Sequence, residues 1–217
     1  MSTQSDNNLT STPDLIAASL RAEIMQGSLP GGQPLRQDQI AARFGVSKIP
    51  VREALVQLKA EGLVSLAPNR GASVVQLSPA EAREIYIMRA ALEPAVLRRA
   101  IPHLTIADLA RAEETLDVMD REQNVARWGE LNWEFHATLY EPADLPRLME
   151  WVRTLHSNVA RYLILYLATL DHQRVSQAEH RQLVWACRQG DVEAAEGILI
   201  QHLESAANSL VEYLKVE

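Results

Sequence analysis

The chain has 217 residues, a formal net charge of −7 and an apolar share of 47%, enough for one large domain or two small ones that each bury a core. Its single cysteine, Cys187, excludes a disulfide framework within one chain, and its longest apolar run, Tyr162 to Leu170, is about half of the roughly 18 residues that a membrane span needs. The acidity speaks against a nucleic-acid partner only until the chain is divided near Ser78: residues 1–77 carry seven Lys/Arg against six Asp/Glu and the remainder 14 against 22, so the negative charge belongs to the C-terminal part.

Met1 to Thr12 is polar, uncharged apart from Asp6, and lacks the basic and apolar regions of a signal peptide. Residues 1–12 are therefore expected to be a disordered leader on a cytoplasmic protein. Thr12 is placed to cap a helix with Pro13 at its first position, and Leu15, Ile16, Leu20 and Ile24 recur on one face until Gly27 ends it. Ser28 to Pro34 is turn-forming throughout. A short helix follows from about Gln37 to Phe44, burying Ile40, Ala41 and Phe44, and Gly45 stops it. Ser47 is an N-cap for the next helix, which tolerates Pro50 in its first turn and offers Val51, Ala54, Leu55 and Leu58 as an apolar face up to Gly62. Leu63–Leu66 and Ala72–Val75 are β-prone runs around Pro68-Asn-Arg-Gly71, which reads as a hairpin. The expected fold is thus mainly α, opening with a winged helix-turn-helix of three helices plus a β-hairpin over residues 13–77.

Ser78-Pro-Ala-Glu81 is a capping box with proline at the first helical position, so a second domain, 78–217, begins there. Further helix starts fall at Thr105 with Asp108, near Asn124, near Pro142 to Pro146, at Ser176 with Glu179 and at Gly190-Asp191. They delimit about six helices, near 79–101, 105–122, 125–141, 145–169, 173–189 and 191–216, and loops this short make an antiparallel all-α bundle.

A recognition helix presents its leading residues to base edges in the major groove. Here Ser47, Lys48, Ile49 and Arg52 hold that end, with Arg52 able to bond guanine bidentately and Lys48 to reach a phosphate or a base. Arg36 and the hairpin-tip residues Asn69 and Arg70 are placed for backbone or minor-groove contact. Spacing alone would also fit any small three-helix domain with surface cations. The run Pro34-Leu-Arg-Gln-Asp-Gln-Ile-Ala-Ala-Arg-Phe-Gly-Val-Ser-Lys-Ile-Pro-Val-Arg-Glu-Ala-Leu55, with Glu61-Gly-Leu-Val64 and Asn69-Arg-Gly71, resembles the GntR family of transcription regulators. That resemblance implies DNA-contacting roles for Lys48 and Arg52. Lys48 stands where arginine is commoner and Gln39 where some relatives use a DNA-contacting arginine, which bears on the operator sequence.

Asn132 and His136 are spaced i, i+4 and share one helix face, while His180 and His202 fall on two later helices. Three imidazoles and one side-chain oxygen suit Zn, Ni or a similar divalent ion. Each histidine alone is as readily a hydrogen-bonded core residue, and His103, His156 and His172 stand on the same footing. Arg89-Ala-Ala-Leu-Glu93, Asn132 to Leu139, Glu179-His180-Arg181 and His202-Leu203 together resemble the FCD effector domain of the FadR subfamily, in its shorter VanR-like branch. That resemblance implies a divalent metal held by Asn132, His136, His180 and His202, with Asn at a position more often Asp. It also implies a pocket in which Arg89 grips an effector carboxylate. The alternative for Arg89 is a salt bridge to Glu93 one turn along. Arg161 and Tyr162 are candidates for lining the same pocket, though the apolar run that follows fits ordinary core equally well.

The resulting expectation is a homodimeric, non-enzymatic regulator, a repressor in character, that binds double-stranded operator DNA and answers to a small carboxylate effector. One alternative is a metal-free regulator using the bundle only to dimerise. Another is a metal-dependent hydrolase with Glu134 or Asp144 as base, although Glu134, two residues from Asn132, should face a different side of the helix.

Overall fold

The computed structural model describes residues 11–67, 71–170 and 172–216, with the backbone alone at 126, 161, 163–170, 172 and 216. The chain divides into two compact units, Met1–Gln76 and Leu77–Glu217.

The first unit holds α1 (Thr12–Met25), β1 (Pro34–Leu35), α2 (Gln37–Phe44), α3 (Lys48–Ala60), β2 (Val64–Ala67) and β3 (Gly71–Val74). Ser11, rather than Thr12, caps α1, because Ser11 and Asp14 form a reciprocal capping box. Leu15, expected to face inwards, is 57% exposed. Ile16, Leu20 and Ile24 stack one turn apart on the buried face, and Leu15 sits a residue, roughly 100°, to the side. They pack with Val51, Ala54, Leu55 and Leu58 of α3 in one apolar cluster, with Phe44 half-buried at its edge. Gly45 ends α2 at φ 65°, a left-handed conformation that disfavours any residue with a Cβ. The tight turn delivers Ser47 to the N-cap position of α3, but its hydroxyl makes no capping bond. The reason is local: the third helical residue is Pro50, which has no N–H to give.

The sheet has the order β1-β3-β2 with both pairings antiparallel, Leu35 opposite Ala72 and Val64 opposite Val74. The hairpin expected from sequence is present. The two-residue β1 is an addition that no alternation could reveal, since it lies at the end of a turn-rich run.

The second unit holds α4 (Pro79–Ala100), α5 (Ile106–Met119), α6 (Val125–Tyr140), α7 (Pro146–Leu170), α8 (His172–Gln189) and α9 (Val192–Val216), with 3-10 turns at Ile101–His103 and Glu141–Ala143. Capping boxes start α4 at Ser78 and Glu81 and α5 at Thr105 and Asp108. Ser176, expected to start a helix, lies inside α8; its hydroxyl sits 3.5 Å from His180 Nε2 instead of on a backbone N–H. Helix α4 packs along α9 and against α7, α5 against α6 and α8, and α8 against α9. Their shared core includes Leu97, Leu116, Phe135, Leu139, Val152, Leu183, Leu199 and Leu210, each stabilising the fold by roughly 1.5–3 kcal/mol through burial. Set into this apolar interior are Arg89, Glu93, Asn132, His136, His156, Gln177, His180 and His202, all buried. Polar groups at such depth cost free energy unless each has a partner, and where their partners lie marks the site.

Candidate metal centre and nucleic-acid interface

In the first unit, the start of α3 leaves Ser47, Lys48, Ile49 and Arg52 exposed side by side. Ile49 is 67% exposed, an apolar side chain on the surface where a thymine methyl can be read. Lys48 Nζ lies 2.5 Å from Asp38 Oδ1 and Arg52 Nε donates to Gln37 Oε1 at 3.0 Å, so both cations are steadied by the first turn of α2. Arg36 and Gln39 are exposed at that same turn. Gly71 is exposed at φ 78° at the start of β3, whereas Asn69 and Arg70 lie outside the described residues.

In the second unit, α6 carries Asn132, His136 and Tyr140 at successive i+4 positions, all buried. Helix α8 brings Gln177 and His180, and α9 brings His202. The histidines His136, His180 and His202 offer ligand nitrogens that all lie within 4.8 Å of one another. Their ring centroids are 5.1 Å apart for His136 and His180, 5.4 Å for His136 and His202, and 4.7 Å for His180 and His202. Asn132 shares the buried face of α6, and its Nδ2 is 3.5 Å from Nε2 of His156 on α7.

The electrostatics favour metal-competent imidazoles. Burial, reinforced by the other histidines and by Arg89, holds His136 well below the usual histidine range. Burial, then His202, does the same to His180. His156 is lowered by burial and by Arg89. Neutral imidazole is the form that ligates. His136 Nε2 is fully buried with no hydrogen-bond partner among the described residues, an orphan that a cation among these three rings would satisfy. The residues present therefore fit a divalent metal and could hold one.

Around the rings lies a layer of acceptors that the sequence reading did not assign. His202 Nδ1 is 2.7 Å from Glu179 Oε2, His180 Nδ1 is 3.1 Å from Gln177 Oε1, and His136 Nδ1 is 3.4 Å from the Tyr140 hydroxyl, which itself donates to Glu93 Oε2 at 2.8 Å. Tyr140 was discoverable as the i+4 neighbour of His136. Gln177 was likewise discoverable as the i−3 neighbour of His180 on α8, whereas Glu179 carries no such signal, since its bond to His202 depends on how α8 and α9 meet.

Arg89 is 3% exposed and its Nε donates to Glu93 Oε1 at 2.6 Å. Its guanidinium carbon lies 4.9 Å from the Tyr86 ring centroid. Burial would depress this guanidinium, but Glu93 and the two tyrosines more than offset it and leave its pKa raised, so the charge is permanent. Of the two sequence readings of Arg89, the structure shows the pair with Glu93, and it is buried beside the histidines. The Arg161 side chain lies outside the described residues. Tyr162 is committed elsewhere, its hydroxyl accepting the Leu77 N–H at 2.6 Å. Glu134 and Asp144, the bases of a hydrolase, are both exposed, and Glu134 pairs with Arg127. Cys187 is buried and its thiol pushed up by that burial to about 12, which suits core and not nucleophile.

Comparison with known proteins agrees with this division. Residues 13–74 match the family described as bacterial regulatory proteins, gntR family, and residues 84–205 match the FCD domain. The HTH-type transcriptional repressor RspR of Escherichia coli (strain K12) is 29% identical over 195 residues, covering 88% of this chain and 85% of that protein. A probable D-xylose utilization operon transcriptional repressor of Paenarthrobacter nicotinovorans is 34% identical over 188 residues, covering 83% and 80%. The crystal structure of a GntR family regulator from Pseudomonas syringae pv. tomato str. DC3000 superposes with a TM-score of 0.60 at 36% identity over 94% of this chain and 86% of that one.

Proposed function

The chain belongs to the GntR family of DNA-binding transcription regulators and carries an FCD domain, and from that premise we propose that its operator affinity is set by an anionic effector bound at a divalent metal in the second unit. The observation that carries this reading is the set of three buried histidines from three helices, with the Nε2 of His136 left without a partner among the described residues. When bound, the metal supplies a Lewis-acid centre for an oxygen ligand. The donors are neutral: three imidazoles and the Asn132 amide. The Arg89 charge is matched by Glu93. A dication held by such a set keeps most of its charge, which favours a carboxylate as the remaining ligand. Arg89 is the residue assigned to orient that carboxylate, and His156, beside Asn132, lines the same space.

The chain acts as a homodimer in the cytoplasm, each α3 entering a major groove of a pseudo-palindromic operator through Lys48, Ile49 and Arg52, with Ser47, Arg36, Gln39, Asn69, Arg70 and Gly71 on or near the backbone. Two relatives are named repressors, and repression is the proposed sense. Effector control requires that the anion bind the DNA-competent and DNA-incompetent arrangements with different affinity. Among the described residues no helix is long and apolar enough to cross a membrane.

Elemental analysis of purified wild type beside His136→Ala and His180→Ala tests the reading. About one zinc or nickel per chain in wild type, lost in both variants, is the expected result. A wild type that carries no metal and takes up none on titration, yet binds DNA, would leave the regulator in place and overturn the metal-anchored effector.

A further inference from the structure

The three candidate ligand histidines differ in sequence context, but the hydrogen bonds behind them impose the same tautomer on each. Gln177 is the informative case. Its Nε2 donates to the Leu116 carbonyl oxygen at 3.0 Å and to Asp120 Oδ1 at 2.7 Å. A carbonyl and a carboxylate can only accept, so both amide protons are used and the orientation of the amide is fixed. Oε1 must then be the atom facing His180 Nδ1 at 3.1 Å. An amide oxygen can only accept, which places the imidazole proton on Nδ1 and the lone pair on Nε2.

The same logic holds at the other two rings. The Tyr140 hydroxyl proton goes to Glu93 Oε2, so only its oxygen is left for His136 Nδ1, which must donate. The Glu179 carboxylate accepts from His202 Nδ1. We propose that Gln177 is a positioning residue for the metal, locking His180 as its Nδ1–H tautomer so that the Nε2 lone pair of His180 is prepared before any ion arrives. This rests on the metal reading above. Gln177 is the one of the three supports whose other bonds run to α5, through Leu116 and Asp120, so the aim of His180 depends on how α5 and α8 are packed.

The test uses the full chain. Long-range proton–nitrogen NMR of metal-stripped wild type reports the tautomer of each histidine, and a chromophoric chelator in competition reports zinc affinity. His180 is expected as Nδ1–H in wild type. Gln177→Leu, which has no acceptor, should shift His180 towards the other tautomer and weaken zinc binding by about 10- to 100-fold, whereas Gln177→Glu combined with Asp120→Asn, which keeps the acceptor for His180 and turns the facing carboxylate into a donor, should stay within a fewfold of wild type. Thermal unfolding of the stripped variants separates this from loss of fold, since a purely structural role would lower both midpoints without splitting the two variants in affinity. His180 found as Nε2–H in stripped wild type overturns the proposal even if Gln177→Leu does not fold. Equal zinc affinity in wild type and Gln177→Leu also overturns it, while a wild type that binds no zinc overturns the metal reading and leaves the tautomer result to judge Gln177 alone.

Discussion

His136, His156 and His180 are buried as neutral imidazoles, and the same burial that makes them competent ligands makes the metal-stripped protein acid-sensitive. Their folded pKa values lie below the unfolded value of about 6.5. Between the two, the unfolded chain binds protons that the folded chain refuses, so stability falls as pH falls through and below about 6.5. Melting curves of stripped protein at successive pH values should show the midpoint level above neutrality and dropping on the acid side; a flat midpoint down to pH 5 or so would mean that these groups titrate normally. Arg89 and Glu93 make a second residue-scale prediction. They form a pair with side-chain exposures of 4% and 1%, so Glu93→Gln leaves a buried cation unmatched and should cost about 3–5 kcal/mol. The double variant Arg89→Met, Glu93→Leu should cost less than Glu93→Gln alone in urea unfolding, and a larger cost would show that the pair contributes net stability rather than a constraint.

At the scale of elements, the helix borders were readable because local chemistry writes them. Ser78-Pro-Ala-Glu81 and Thr105 with Asp108 cap α4 and α5 as their spacing implies. Ser78→Ala should remove about 0.5–2 kcal/mol, measurable as a lower unfolding midpoint, with no change if Glu81 alone holds the helix start. The same pattern misled at Ser176, where tertiary contact keeps α8 helical through a capping signature. It also fell short at β1, which exists only because β3 lies beside it. The three histidines could be placed on one face or another of their helices from spacing, and Gln177 beside His180 by its i, i+3 offset, but Glu179 and His156 meet their partners through helix packing, which spacing does not encode. On α3, Arg52→Ala should cost about 1–3 kcal/mol of operator binding and relax the preference for one guanine. Lys48→Ala should instead weaken binding to all sequences and lower the salt dependence by roughly one counterion. Anisotropy titrations on a fragment selected from random DNA, at several salt concentrations, would contradict these roles if the two variants behaved alike.

At the scale of the whole molecule, the division of charge follows the division of labour. The near-neutral first unit offers exposed cations at the start of α3, and the acidic second unit buries the Arg89 cation beside the histidines. A regulator built this way responds to an anion only if occupancy of the buried site changes the operator equilibrium, a difference that need not exceed a few kcal/mol. The most direct measurement is operator affinity of zinc-loaded protein with and without the carboxylate that gives the largest thermal shift in a panel of small acids, made in parallel on His180→Ala. The account predicts that the acid changes the affinity of wild type about 5- to 150-fold, the usual range of allosteric coupling, and leaves His180→Ala unmoved. An equal change in both proteins would contradict it, because the effector would then act without the metal.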